Sequence, residues 1–197
     1  MRNIIAALQI SVDGFVEGPN GEMDWVTKND EDIWREVFAT LANVDTLVLG
    51  RVMYPGFEQY WLSVLANPNS VLPFSGKRPT EAEIKYARWA DHANRIVVSR
   101  TLDKVEWQGT QILRDLDAIR RLKDEPGQDI HVVGGATLVS ALMNAGLIDE
   151  ISLLVNPIVL GGGKALFKDV KDRHGLKLLA ARPLNSGMVK LSYSTQS

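Results

Sequence analysis

The chain has 197 residues, 22 of them basic and 24 acidic, for a net charge of −2 at pH 7. That balance gives no support for a nucleic-acid or membrane-surface partner. The absence of cysteine excludes disulfides, thiolate nucleophiles and cysteine-based metal sites. Hydrophobic residues make up 45% and charged residues 23%, the composition of a chain that buries one full core, so a single domain over residues 1–197 is expected. The apolar run at the N-terminus is too short for a signal peptide or membrane span, and a cytoplasmic protein is the expectation.

Asn3 to Ile10 is a short apolar run and reads as a central strand buried on both faces. Ser11 to Trp25 carries Asp13, Gly14, Gly18, Pro19, Asn20 and Gly21, the chemistry of a long functional loop. Asp30 to Leu41 predicts a helix, with acidic residues in its first turn and a stripe of Ile33, Val37 and Leu41. Thr46 to Leu49 reads as a buried strand ending at Gly50-Arg51. Val52 to Trp61 reads as a helix broken near Pro55-Gly56.

Asn67 to Pro79 reads as a surface loop, and Thr80 with Glu83 matches a capping box opening a helix to about Asp91. Arg95 to Ser99 predicts a strand followed by Arg100. Trp107 to Leu113 is ambiguous, with a short strand as one reading, and Asp115 to Lys123 predicts a helix. Ile130 to Val133 reads as a strand, Gly134-Gly135 follows, and Leu138, Val139, Leu142 and Met143 recur at helical spacing until Gly146. Ile148 to Val155 predicts a strand broken by Asn156-Pro157, and Gly161-Gly162-Gly163 a flexible loop. Leu176 to Ala181 and Met188 to Ser194 predict an antiparallel pair turned at Asn185-Ser186-Gly187.

Strands alternating with helices, then two closing strands, argue an α/β fold with a mostly parallel sheet and an antiparallel edge. Ligands of such sheets bind beyond the carboxyl ends of the strands. Three of those ends carry Gly50-Arg51, Ser99-Arg100 and Gly134-Gly135. The last opens a helix, whose free N–H groups and positive dipole end stabilise phosphate. Two arginines, a hydroxyl and a helix N-terminus on one edge suit a ligand with several phosphates. A plain tight turn at the glycines, and arginines that are only solvated charges, remain the alternatives.

These motifs in this order resemble the dihydrofolate reductase-like family, in the branch containing the reductase domain of riboflavin biosynthesis. The carrying residues are Ser11-Val12-Asp13-Gly14-Phe15, Met23-Asp24-Trp25, Leu49-Gly50-Arg51, Val97-Val98-Ser99-Arg100, Val133 to Leu138, and Pro157 to Gly163. The resemblance implies an eight-stranded, mostly parallel sheet flanked by helices, with bound NADPH. It places Gly50, Arg51, Ser99 and Arg100 at the adenosine 2′-phosphate. It places Gly134, Gly135, Ala136, Thr137 and Leu138 at the pyrophosphate, and the loop from Ser11 to Trp25 over the nicotinamide. Asp13 then faces the substrate as a catalytic group that hydrogen-bonds it or relays a proton through water to balance the hydride, and a plain Asp-Gly turn is the alternative. Folate reductases carry a carboxylate on the first helix, a role falling on Asp30 or Asp32, and each of these also suits a helix N-terminal charge. Trp25 is a core or loop anchor that can also wall the pocket.

The chain also departs from that branch. Ala7 stands where a lysine is usual, four residues before the serine, and Val133 where a glutamate usually precedes the glycine pair. No Cys-based zinc site of a deaminase partner domain can exist. These departures speak against the phosphoribosyl pyrimidine of that pathway as substrate. His92, His131 and His174 are scattered without metal spacing, and Ser63, Ser75 and Ser140 lack a nucleophile-elbow context. Gly161 to Lys164 lacks the spacing of a phosphate-binding P-loop. The expectation is an NADPH-dependent oxidoreductase acting on a small heteroaromatic or carbonyl-type molecule, without metal, assembled as a homodimer through two apolar C-terminal strands, Ile151 to Val155 and Leu176 to Ala181, near a sheet edge that would otherwise stay open. A non-catalytic nucleotide-binding protein on the same scaffold is the alternative.

Overall fold

The computed structural model describes residues 1–26, 30–73 and 75–196. β1 (Ile4–Ser11) is followed by a turn and β2 (Phe15–Glu17). Then come α1 (Glu31–Leu41), β3 (Val44–Gly50), α2 (Tyr54–Ala66), α3 (Glu81–His92), β4 (Asn94–Val98) and β5 (Thr110–Leu113). The chain continues through α4 (Leu116–Asp124), β6 (Asp129–Gly134), α5 (Ala136–Asn144) and β7 (Glu150–Asn156), and closes with β8 (Lys164–Ala165), β9 (Lys177–Pro183) and β10 (Val189–Ser194).

Eight strands form one sheet in the order β5-β4-β3-β6-β1-β7-β10-β9. The first six are mutually parallel, and β10 and β9 run antiparallel at the far edge. The expected architecture is therefore present. Residues alternate across the sheet. Ile4, Ala6, Ile10, Ile130, Val132 and Ile151 face one side, where Ile119 of α4 and Val139 and Leu142 of α5 complete a core. Leu47, Leu49 and Val97 face the other side and meet Tyr54, Phe57 and Tyr86 from α2 and α3. A fully buried Leu, Ile or Phe contributes about 1.5–3 kcal/mol, against about 1 kcal/mol for a typical hydrogen bond. These apolar rows, more than the ladders, make β1 and β6 central.

Local chemistry sets the helix starts. The Asp30 carboxylate caps α1 by accepting from the N–H groups of Asp32 (2.7 Å) and Ile33 (3.2 Å). The capping box of α3 forms as expected, Thr80 N to Glu83 Oε2 at 2.7 Å and Glu83 N to Thr80 Oγ1 at 3.2 Å. α4 is capped by Asp115.

Four expectations change. α2 is not broken at Pro55-Gly56, because Pro55 sits in the first turn, where no intrahelical N–H is required. The stretch from Ser11 to Trp25 is not loop throughout, since β2 pairs antiparallel with β8, which directly follows Gly163. The ambiguous stretch resolves into a strand over Thr110–Leu113, with Trp107 buried in the core at 2% exposure. The run Ile151 to Val155 lies in β7, inside the sheet between β1 and β10, so only β9 forms that edge. No helix among the described residues is long and apolar enough to cross a membrane.

Candidate active site

Because β1, β3, β4, β5, β6 and β7 are parallel, their carboxyl ends share one edge. The register puts Gly50 beside Val98, Val98 beside Leu113, and Leu49 beside Gly134. The strand ends singled out from the sequence are therefore neighbours. An added Cβ on Gly50 would lie 3.5 Å from Gly135 N and 3.5 Å from Leu138 Cβ, so the end of β3 touches the start of α5. Gly134 has φ +140°, a conformation L side chains rarely adopt, and its peptide bond to Gly135 is cis. α5 has no side-chain cap, and an added Cβ on Gly135 would meet nothing within 4 Å. The first N–H groups of that helix, at Ala136 and Thr137, have no intrahelical acceptor.

Arg51 and Arg100 are exposed, and among the described residues neither makes an ion pair or hydrogen bond. Ser99 is buried, and its Oγ accepts from the N–H groups of Thr101 (3.2 Å) and Leu102 (2.8 Å). Its first task is shaping the turn that presents Arg100. Arg114, which follows β5 as Arg100 follows β4, braces the same turn by donating to the carbonyls of Ser99 (3.1 Å) and Leu102 (2.7 Å). The sequence reading missed Arg114 because the strand before it was ambiguous.

The other half of the edge is built from β1, β7, α1 and the β9–β10 turn. Asp13 is exposed, and its two carboxylate oxygens accept from the N–H groups of Leu160 (3.1 Å) and Gly161 (2.8 Å). A hydrogen bond from Ser11, then those backbone amides, hold its pKa below the usual carboxylate value. Ser11 Oγ also accepts from Phe15 N at 2.9 Å. Together with the bonds Val12 N to Ile158 O (2.8 Å) and Leu166 N to Gly14 O (3.0 Å) and the Glu17–Lys164 ion pair (2.8 Å), these contacts fasten the covering loop to residues 157–166. The geometry thus gives Asp13 a latching task that the sequence reading did not anticipate.

Of the two helix carboxylates, Asp30 is the α1 cap. Asp32 is buried at 7% exposure and accepts from Asn185 N at 2.9 Å in the β9–β10 turn, as well as pairing with Arg35. The Asn185 amide first, then Arg35, keep its pKa below the ordinary value. One turn later Glu36 accepts from Arg182 (2.7 Å) and Lys190 (2.8 Å). Trp25 is half-buried and donates Nε1 to Glu22 O at 3.2 Å within its own loop. Gln9 and Asn156, which the sequence reading passed over, sit at the ends of β1 and β7. Asn156 is 1% exposed and donates Nδ2 to Gln9 Oε1 at 3.1 Å and to Ile10 O at 3.3 Å. Their signal was Gln9 alone, the one polar residue between Ile4 and Ile10. No cluster of His, Asp or Glu able to hold a metal ion occurs among the described residues.

The edge is thus divided into an arginine-rich wing with an uncapped helix and a wing whose carboxylates are internally engaged. The same architecture recurs in known proteins. A putative riboflavin biosynthesis protein from Shewanella sp. PV-4 superposes with a TM-score of 0.70 at 22% identity, covering 98% of each chain. Dihydrofolate reductase from Enterococcus faecalis, complexed with NADP(H), superposes with a TM-score of 0.64 at 16% identity, covering 99% of this chain and 97% of that one. In sequence, the chain is 36% identical over 193 residues to the uncharacterized protein YyaP of Bacillus subtilis (strain 168), covering 98% of this chain and 94% of the relative. The model of the RibD C-terminal domain matches residues 2–190. With that match over almost its whole length, on a dihydrofolate reductase-like sheet, the chain belongs to the RibD C-terminal domain family.

Proposed function

We propose that this protein is an NADPH-dependent reductase acting on a small heteroaromatic or carbonyl-type substrate. The observation that carries the reading is the arginine-rich wing: Arg51 and Arg100, unpaired, beside the uncapped N-terminus of α5 at adjacent strand ends. Charge-assisted hydrogen bonds from an arginine fork suit the 2′-phosphate that distinguishes NADPH from NADH. The N–H groups of Ala136 and Thr137 suit the pyrophosphate, with Leu138 N already donating to Gly135 O at 3.0 Å, and Gly134-Gly135 leaves room for its approach. When bound, NADPH supplies the hydride.

The chain's own residues do the rest. Asp13 and Ser11 hold the covering loop over the edge and so exclude water. Asp32, with Trp25, borders the acceptor end. Asp13 and Asp32 are both held as anions at neutral pH, so the proton that balances the hydride comes from solvent rather than from either carboxyl group. The engagement of both carboxylates by the protein's own groups favours one second reading, a nucleotide-binding protein without turnover. NADPH oxidation against pterins, flavin precursors and quinones separates the two, since tight NADPH binding with no turnover on any of them leaves only the binder. The proposed reductase works in the cytoplasm as a homodimer paired along β9, whose Leu178 and Leu179 are 54% and 53% exposed.

A further inference from the structure

The turn that follows β4 is pinned on both sides of Arg100. Before it, Ser99 N donates to Leu113 O at 2.9 Å, which extends the β4–β5 ladder. After it, Thr101 N and Leu102 N both donate to Ser99 Oγ, at 3.2 and 2.8 Å. These bonds fold the turn, and they leave the carbonyls of Ser99 and Leu102 to find donors elsewhere. Arg114 satisfies both: its Nη1 donates to Ser99 O at 3.1 Å and to Leu102 O at 2.7 Å. One nitrogen thus bridges the two ends of the turn.

Arg114 is itself held. The register pairs Val98 with Leu113, so the next residues, Ser99 and Arg114, start side by side. Asp115, directly after Arg114, caps α4 by accepting from Ala118 N at 2.8 Å. A strand before it and a capped helix after it fix the backbone from which Arg114 reaches the turn. Arg100 lies between the two bridged carbonyls, exposed and without an ion pair or hydrogen bond among the described residues. A braced turn with an unengaged arginine inside it is preorganised for an anion, because the backbone beneath Arg100 is already ordered when the ligand arrives.

We infer that Arg114 is a positioning residue for the cofactor's 2′-phosphate, acting through the Ser99–Leu102 turn on Arg100, and that it helps set the preference for NADPH over NADH. The inference rests on the reductase reading above and deepens it. Arg114 acts without touching the phosphate, so its effect disappears once Arg100 is removed.

The test is a double-mutant cycle on cofactor affinity, read by calorimetric titration of the full chain with NADPH and with NADH. Arg114→Met keeps a long side chain and removes its donors. It is expected to weaken NADPH by about tenfold, the effect of one charge-assisted bond, and NADH by less than about twofold. Arg114→Lys keeps a donor without the planar fork and should recover part of the loss. On an Arg100→Ala background, Arg114→Met should change NADPH affinity by less than about twofold. Circular dichroism checks the fold; were Arg114→Met to unfold, Arg114→Lys carries the same cycle, with a smaller loss that again disappears on the Arg100→Ala background. An unchanged NADPH affinity in the Arg114 variants would overturn the inference. So would an equal loss for NADH, which marks a role in folding alone, and so would the full loss on the Arg100→Ala background, which marks a direct phosphate contact. Each of these leaves the cofactor reading standing. A parent protein that binds both cofactors equally, or an Arg100→Ala variant that keeps its NADPH preference, would overturn the assignment of Arg100 and the inference with it.

Discussion

Glu36 and Lys190 lie 154 positions apart in the chain, and their side chains meet in a buried ion pair, Nζ to Oε2 at 2.8 Å. The pair ties the middle of α1 to β10, and so fixes the antiparallel edge against the helix that carries Asp32. Removing one partner strands a buried charge, which costs about 3–5 kcal/mol, whereas replacing both with apolar side chains is often neutral. Glu36→Ala is therefore expected to lose about that much in urea unfolding at pH 7. The double variant Glu36→Leu/Lys190→Leu should lie within about 1 kcal/mol of the parent. A single variant as stable as the parent would show that the pair is not stabilising the edge.

His131 sits in β6 with 7% exposure, and neither ring nitrogen has a hydrogen-bond partner. Burial pulls its pKa down to about 4, against the opposing effect of the Ala7 backbone. In the unfolded chain a histidine titrates near 6.5. Between these values the unfolded state binds the extra proton, so stability falls as pH drops from about 6.5 to 4, by up to roughly 3 kcal/mol. His131→Leu should flatten that slope in unfolding curves taken at a series of pH values. A slope that survives the substitution must come from other groups.

NADPH is expected to bind more tightly than NADH. Arg51→Ala should lose about 1.5–3 kcal/mol for NADPH, the scale of hydrogen bonds to charged groups, and little for NADH. Calorimetric titration of both cofactors measures this, and equal wild-type affinities would sink the assignment of Arg51 and Arg100.

Asp13→Ala should release the amides of Leu160 and Gly161. Hydrogen exchange at residues 158–166 is expected to quicken about tenfold, the effect of losing roughly 1.4 kcal/mol of local protection. If Asp13 were instead the proton source, exchange would stay slow while turnover collapsed.

The β9 edge presents Leu176, Leu178 and Leu179, respectively 43%, 54% and 53% exposed. An unpaired edge of that kind invites a second copy. Light scattering at micromolar concentration should give a dimer mass, and Leu178→Lys with Leu179→Lys should give a monomer. A wild-type monomer would refute the pairing.

Much of this protein was legible in the chain itself. The apolar runs of β1, β3, β4 and β6 and the capping box at Thr80 act over a few residues, so sequence alone located those elements. The order of Gly50-Arg51, Ser99-Arg100 and Gly134-Gly135 was enough to place them at strand ends on one edge, because parallel strands share a direction. What the sequence left open depends on contacts between residues far apart along the chain. Pro55 reads as a breaker until the helix start at Tyr54 puts it in a first turn. Asp30 and Asp32 look alike until one caps α1 and the other finds Asn185, 153 positions away. Asp13 reads as a turn or a catalytic group until the β7–β8 connection brings two N–H groups to it. Gln9 stands out only as the polar residue of an apolar run and Asn156 only as a strand end, and their pairing exists because β1 and β7 are adjacent in the folded sheet.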